Sequence, residues 1–139
     1  MIKLKTIFSF YTVIVLLQIN LAQTQQDTVN QVFEKFQNGI TANNISDFSE
    51  NFSSKTYISL SDGTTGYFSS NQAFYVLKKY LSVYEPIECK LKRQKLFERS
   101  AYATGELKFT FKGRRGTAGI YISIQTSGDK WVISQITIN

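Results

Sequence analysis

The chain has 139 residues and a formal net charge of +6, with no histidine, one cysteine and one proline. That length suits one domain. Without histidine there is no His-activated nucleophile, no His–carboxylate dyad and no His-rich metal site, and a lone Cys89 excludes an internal disulfide.

Residues 1–22 read as a secretory signal peptide. Lys3 and Lys5 form a basic start, Ile7 to Leu17 an apolar core, and Ala22 precedes the polar run Gln23-Thr24-Gln25-Gln26. Asn20 sits where a small residue is preferred before cleavage. The competing reading is an uncleaved anchor. It has only Ile7 to Leu21 to span with, interrupted by Gln18 and Asn20, against the roughly 20 residues a bilayer needs. The expectation is therefore a cleaved leader and a mature domain over 23–139, secreted or periplasmic. No lipidation cysteine follows the leader.

Without Lys3 and Lys5 the net charge falls to +4. It is unevenly spread. Residues 23–77 carry two lysines against five acids, and residues 78–115 carry eleven basic residues against four acids.

The first helix is expected over 28–42, where Val29, Val32, Phe33, Phe36 and Ile40 make one apolar stripe. Thr28 and Gln31 have capping-box spacing. A short helix capped by Ser46 follows, burying Ile45, Phe48 and Phe52. Lys55 to Leu60 alternates as a strand, with Tyr57 and Ser59 on one side and Thr56, Ile58 and Leu60 on the other. Ser61 to Gly66 is a turn, after which Tyr67-Phe68 pairs back. Ser69 and Gln72 cap a second helix running to about Tyr84, with Ala73, Phe74, Leu77, Tyr80, Leu81 and Tyr84 as its stripe.

After Pro86 the chain reads as a four-strand meander. Ile87, Cys89 and Leu91 face inward on its first strand, and Ala101, Ala103, Gly105, Leu107, Phe109 and Phe111 on its second. Gly113 to Gly116 is the next hairpin turn. Ile120, Ile122 and Ile124, then Trp131 and Ile133, continue the inner face. Ile136 and Ile138 have the wrong parity, which a bulge at Ser134-Gln135 corrects.

This order resembles the nuclear transport factor 2-like (cystatin-like) superfamily, an α+β cone in which a curved, mainly antiparallel sheet wraps N-terminal helices. More closely it resembles a family of small secreted bacterial proteins of unknown function with that fold. The likeness runs over about residues 28–139 and rests on Val32-Phe33-Glu34-Lys35-Phe36 with Asn38-Gly39, Gly66-Tyr67-Phe68-Ser69, Tyr102-Ala103-Thr104-Gly105 and Gly128-Asp129-Lys130-Trp131-Val132-Ile133. The resemblance implies a fold. It lends no catalytic residues and no cofactor.

The functional expectation is a non-catalytic domain binding a small amphiphilic or aromatic ligand, or a protein partner, through the cone or a sheet face. Arg93 and Lys95 share parity with Cys89, Leu91 and Phe97. Either a bulge turns them outward, or they meet an anionic head group in the cone mouth, its apolar part lying on Leu107, Phe109, Ile122 and Trp131, with Tyr57 nearby. A homodimer through the outer face around Tyr102, Tyr121 and Ser123 is a further reading. A carboxylate-dependent isomerase or hydrolase requires Asp47 or Asp62 buried beside a hydroxyl such as Tyr57 or Tyr80. Lys90, Lys92, Lys108 and Lys112 read as an outer solvated face, with Glu88 and Glu106 as cross-strand partners. No aromatic ladder interleaves with these lysines, so nucleic acid is not an expected partner.

Overall fold

The computed structural model describes the backbone of residues 2–139 and the side chains of residues 11–139. Lys3, Lys5 and the first part of the apolar leader run lie outside the described side chains.

Helix α1 spans Ile2–Thr41 without a break. The expected stripe of Val29, Val32, Phe33, Phe36 and Ile40 is buried. Residues 11–24 are exposed on every side and touch no core. The expected cap at Thr28 does not form, because nothing between the leader and the stripe stops the helix. The Thr28 hydroxyl instead donates to the carbonyl of Thr24 one turn back. No helix among the described residues is long and apolar enough to cross a membrane.

The short helix expected after Asn44 is two 3₁₀ turns, Ile45–Asp47 and Ser49–Asn51, with no side-chain cap at either. Ile45, Phe48 and Phe52 are buried as the pattern required. The Phe48 ring packs edge-on against Phe36 at 5.0 Å and Phe52 at 5.7 Å.

Strand β1 (Phe52–Leu60) starts earlier than the alternation suggests. In the turn that follows, the Asp62 carboxylate accepts from the Thr64 N–H and Gly63 takes φ 92°. Strand β2 (Thr65–Phe68) pairs back on β1. Helix α2 (Ser70–Val83) opens with the expected capping box, Ser69 with Gln72. It buries Ala73, Leu77, Tyr80 and Leu81, while Phe74 and Tyr84 are half-buried.

Strands β3 (Glu85–Leu96), β4 (Ser100–Phe111), β5 (Arg114–Ser127) and β6 (Lys130–Ile138) form the antiparallel meander. The six strands lie in the order β2-β1-β6-β5-β4-β3, with β1 parallel to β6. The sheet curves over the helices. Inner-face side chains such as Ala103, Leu107, Ile122, Ile124 and Ile133 share one core with the stripes of α1 and α2.

Irregularities supply the curvature. The register between β5 and β6 slips between Ser123 and Ile124, so Ser134 is the extra residue and Ile136 and Ile138 return to the core. The Ser134 hydroxyl donates to the Ser123 carbonyl at 3.1 Å. Strand β3 slips twice, at Ile87 and at Lys92. The first slip corrects the expected inward position of Ile87, which is 43% exposed. The second reverses parity downstream, so Gln94 and Leu96 oppose the inner Ala103 and Ala101. Phe97, expected inward, is exposed for the same reason.

The β4–β5 hairpin also turns earlier than expected. Phe111 pairs with Arg114, and Lys112 (φ 49°) and Gly113 (φ 75°) make a two-residue turn with both residues left-handed. Arg114 to Gly116 belong to β5. Lys112 therefore leaves the outer row expected for it, and its ammonium lies 5.2 Å from the Phe111 ring centre.

Candidate functional site

Strand β3 is an edge strand, and its free side is not open. Asn30, Gln37 and Thr41 stand at i, i+7 and i+11 on α1, a polar stripe beside the apolar one. The Thr41 hydroxyl accepts the Cys89 N–H at 2.9 Å and the Gln37 carboxamide oxygen accepts the Leu91 N–H at 2.8 Å. Asn30 Oδ1 accepts from the Gln94 side chain at 2.9 Å. Helix α1 thus supplies the missing neighbour for the upper half of β3. The sequence reading missed these three residues. The signal was their helical spacing, hidden by their mixed types.

With both helices on the inner face, the outer face lies open. There the register aligns two complete rows. Tyr67, Tyr57, Gln135, Ser123, Tyr102 and Lys95 are successive partners across β2, β1, β6, β5, β4 and β3. Thr65, Ser59, Thr137, Tyr121, Thr104 and Arg93 make the neighbouring row. Every one of these twelve residues is half-buried or exposed, and none is acidic. Tyr102 stacks on Tyr121 at 5.8 Å and meets Phe97 at 6.2 Å, while the Lys95 ammonium lies 5.2 Å from the Phe97 ring. At the other end, Tyr57 and Tyr67 meet edge-on at 5.1 Å and the Tyr57 hydroxyl bonds Thr65 Oγ1. Aromatic rings accompany Lys95 at the β3 end of these rows. The bulge at Lys92 brings them together.

The next rows out carry the expected cross-strand pairs, Lys92 with Glu106 and Lys108 with Glu88, each at 3.1 Å. The Lys108 ammonium holds the Glu88 carboxyl below its ordinary range, chiefly through that hydrogen bond.

The residues expected to form one amphiphile site fall in separate places. Arg93, Lys95 and Tyr57 belong to the outer face. Leu107 and Ile122 are fully buried in the core. Phe109 lines a cleft at the β4–β5 hairpin. Trp131 lines another beside the Lys35–Glu50 ion pair. Asn51 borders the same cleft, and its Oδ1 is buried without a hydrogen-bond partner. Arg93 also lines a cleft of about 390 Å³ between α1 and β3.

Asp47 and Asp62 are both exposed, accepting from Asn44 Nδ2 and the Thr64 N–H. Neither meets the requirement for a buried base. Tyr80 is buried, its hydroxyl bonded to Ser61 Oγ at 2.8 Å, and burial raises its pKa. Burial likewise pushes the Cys89 thiol up to about 12, which makes it a core side chain rather than a nucleophile. Among the described residues no cluster of three metal-ligating side chains forms.

Two helices held in the hollow of a six-stranded sheet, with an open outer face, make the nuclear transport factor 2-like (cystatin-like) fold. The chain belongs to the family described as a domain of unknown function, DUF4783, whose model matches residues 33–139. It is similar to a DUF4783 family protein from Bacteroides uniformis, at 15% identity and a TM-score of 0.69, covering 76% of this chain and 94% of that one. A second DUF4783 protein, from Bacteroides ovatus, gives 13% identity and a TM-score of 0.67 over 75% of this chain and 90% of that one. A nuclear transport factor 2-like protein of unknown function from Shewanella oneidensis gives 12% identity and a TM-score of 0.61 over 82% and 98%. At such identities the likeness is one of fold. No curated protein matches the sequence.

Proposed function

We propose that this protein is an exported, non-catalytic binding module whose outer sheet face docks another protein. The observation that carries this reading is the pair of registered rows running from Tyr67 and Thr65 to Lys95 and Arg93. Each row crosses six strands, a length of about 24 Å at roughly 4.8 Å per step. Tyrosine supplies large contact area at low conformational-entropy cost, serine supplies adaptable hydrogen bonding, and tyrosine and arginine are enriched in protein interfaces. Arg93 and Lys95 at one end call for carboxylates on the partner.

Charge favours a different protein over a second copy. Neither row carries an acid, and the end away from β3 carries Lys55 over the Tyr67 ring at 5.4 Å. A homodimer centred on Tyr102, Tyr121 and Ser123 would offer Arg93 and Lys95 no carboxylate from these rows.

The test is affinity capture from the native host with wild type, an Arg93→Glu/Lys95→Glu double variant and a Lys78→Glu control on α2. A binding protein retained by wild type and the control, and lost with the double variant, supports the reading. Identical capture by all three sinks it, as does sedimentation in which wild type is a dimer that the double variant dissociates.

Export rests on the leader and on the exposure of residues 13–24. N-terminal sequencing of the mature protein is expected to begin at Gln23. A cytoplasmic chain retaining its leader would refute this half of the proposal.

A further inference from the structure

The β4–β5 hairpin extends beyond the helices. Helix α2 ends at Val83 and Tyr84 caps it. Phe109 and Phe111 keep the inner parity of Leu107 but are only half-buried. Tyr84 fixes both rings, lying flat on Phe111 at 4.7 Å and 9° and edge-on to Phe109 at 5.4 Å. The Lys112-Gly113 turn sets Arg114 opposite Phe111 and Gly116 opposite Phe109. Gly116 leaves the room that the Phe109 ring occupies, since a Cβ there would lie 2.7 Å from Phe109 Cζ.

The result is a cleft of about 410 Å³ lined by Phe109, Phe111, Lys112, Arg114, Arg115 and Gly116. Small-molecule sites occupy roughly 300–1,000 Å³. Its aromatic floor is flanked by Lys112 and Arg114, neither of which takes part in an ion pair among the described residues, while Arg115 borders the cleft from the opposite strand parity. Glu85 shares a register row with Thr110 and Arg115, one strand further out, without pairing with them.

We propose that this cleft binds a small amphiphile with a single anionic head group, a carboxylate or phosphate. The guanidinium fork of Arg114, on the inner parity opposite Phe111, suits a planar or tetrahedral oxyanion, with the Lys112 ammonium of the turn as a second charge. The aromatic floor of Phe109 and the exposed edge of Phe111 take the apolar part. An inorganic anion would leave the rings wet, and an uncharged apolar molecule would strip water from two unpaired cations. The cleft lies at the hairpin end, apart from the outer-face rows, so this inference is independent of the docking proposal.

The test is isothermal titration of the purified protein with monomeric dodecyl phosphate, inorganic phosphate and dodecanol, in wild type and an Arg114→Ala variant whose thermal unfolding matches wild type. Phe109→Ala serves as a second variant, checked for fold in the same way. Dodecyl phosphate binding that weakens about tenfold or more in the arginine variant and in Phe109→Ala, with the two control ligands at least tenfold weaker in wild type, supports the proposal. Equal affinity in wild type and the arginine variant overturns it. So does inorganic phosphate binding as tightly as dodecyl phosphate. Binding to phosphatidylglycerol vesicles with no binding of monomeric dodecyl phosphate also overturns it, because the cations would then serve a lipid surface.

Discussion

The carboxamide oxygen of Gln37 accepts the backbone N–H of Leu91 at 2.8 Å. A helix side chain here does the work of a strand. Leu91 sits one residue before the bulge at Lys92, so the bond secures β3 where its own ladder is most irregular. Gln37→Leu leaves that N–H without its partner. It is expected to cost about 1–3 kcal/mol, read from urea unfolding with an unchanged slope. Thr41→Val, which removes the partner of the Cys89 N–H, should behave alike. If either variant matches wild type, the helix is not supplying the edge of the sheet.

Gly105 opposes Leu91 from β4 at the same bulge. A Cβ there would overlap the Lys90 carbonyl oxygen and lie 2.7 Å from Leu91 Cα, both backbone atoms with little freedom to move. Gly105→Ala is expected to destabilise by about 1–3 kcal/mol or more. It should also displace Arg93 and Lys95 relative to Tyr102, visible as chemical-shift changes confined to β3 and β4. A stable variant with unshifted β3 resonances would contradict the close approach.

Cys89 is buried with its thiol pushed up to about 12, first by desolvation and then by the neighbouring Glu88 charge. The unfolded chain deprotonates near 9.0 and the folded chain holds its proton to about 12. The unfolded state therefore binds fewer protons in that window, and stability falls as pH rises through it. Cys89→Ala should flatten the decline between pH 9 and 10, leaving the part that Tyr80 contributes in the same direction. Thiol reagents at pH 8 should label wild type only as it unfolds. Rapid labelling of the native protein would place the thiol outside the core.

Ser69 and Gln72 close both halves of the α2 capping box. Ser69→Ala is expected to cost about 1 kcal/mol, measured as a drop in melting temperature. The same change at Thr28 should cost less, since Thr28 lies inside α1 rather than at its end. Equal losses at the two sites would argue against a continuous α1.

Much of the fold was legible from period alone. The stripes of α1 and α2, the alternation of β1 and β5, and even the bulge at Ser134 follow from which side chains must be dry. That bulge was visible because two isoleucines, Ile136 and Ile138, fell on the wrong side and water penalises their exposure. The bulges of β3 were not decidable in this way. Arg93, Gln94 and Lys95 are tolerated at a surface on either parity, so only the pairing with β4 set them outward. The nuclear transport factor 2-like fold was likewise readable from element order and short motifs.

Sequence by itself determined the inner face, the helix stripes and the polar turns, because each depends on a local repeat and on the hydration of single side chains. Tertiary structure alone decided that Asn30, Gln37 and Thr41 guard the edge of β3, and that the outer rows end in Lys95 and Arg93. It also moved Phe109 away from those cations and placed it beside Arg114. These are relations between residues far apart in the chain, set by strand register and helix docking. A one-residue slip in register exchanges the two faces of a strand, and no local pattern of polar residues resists that slip.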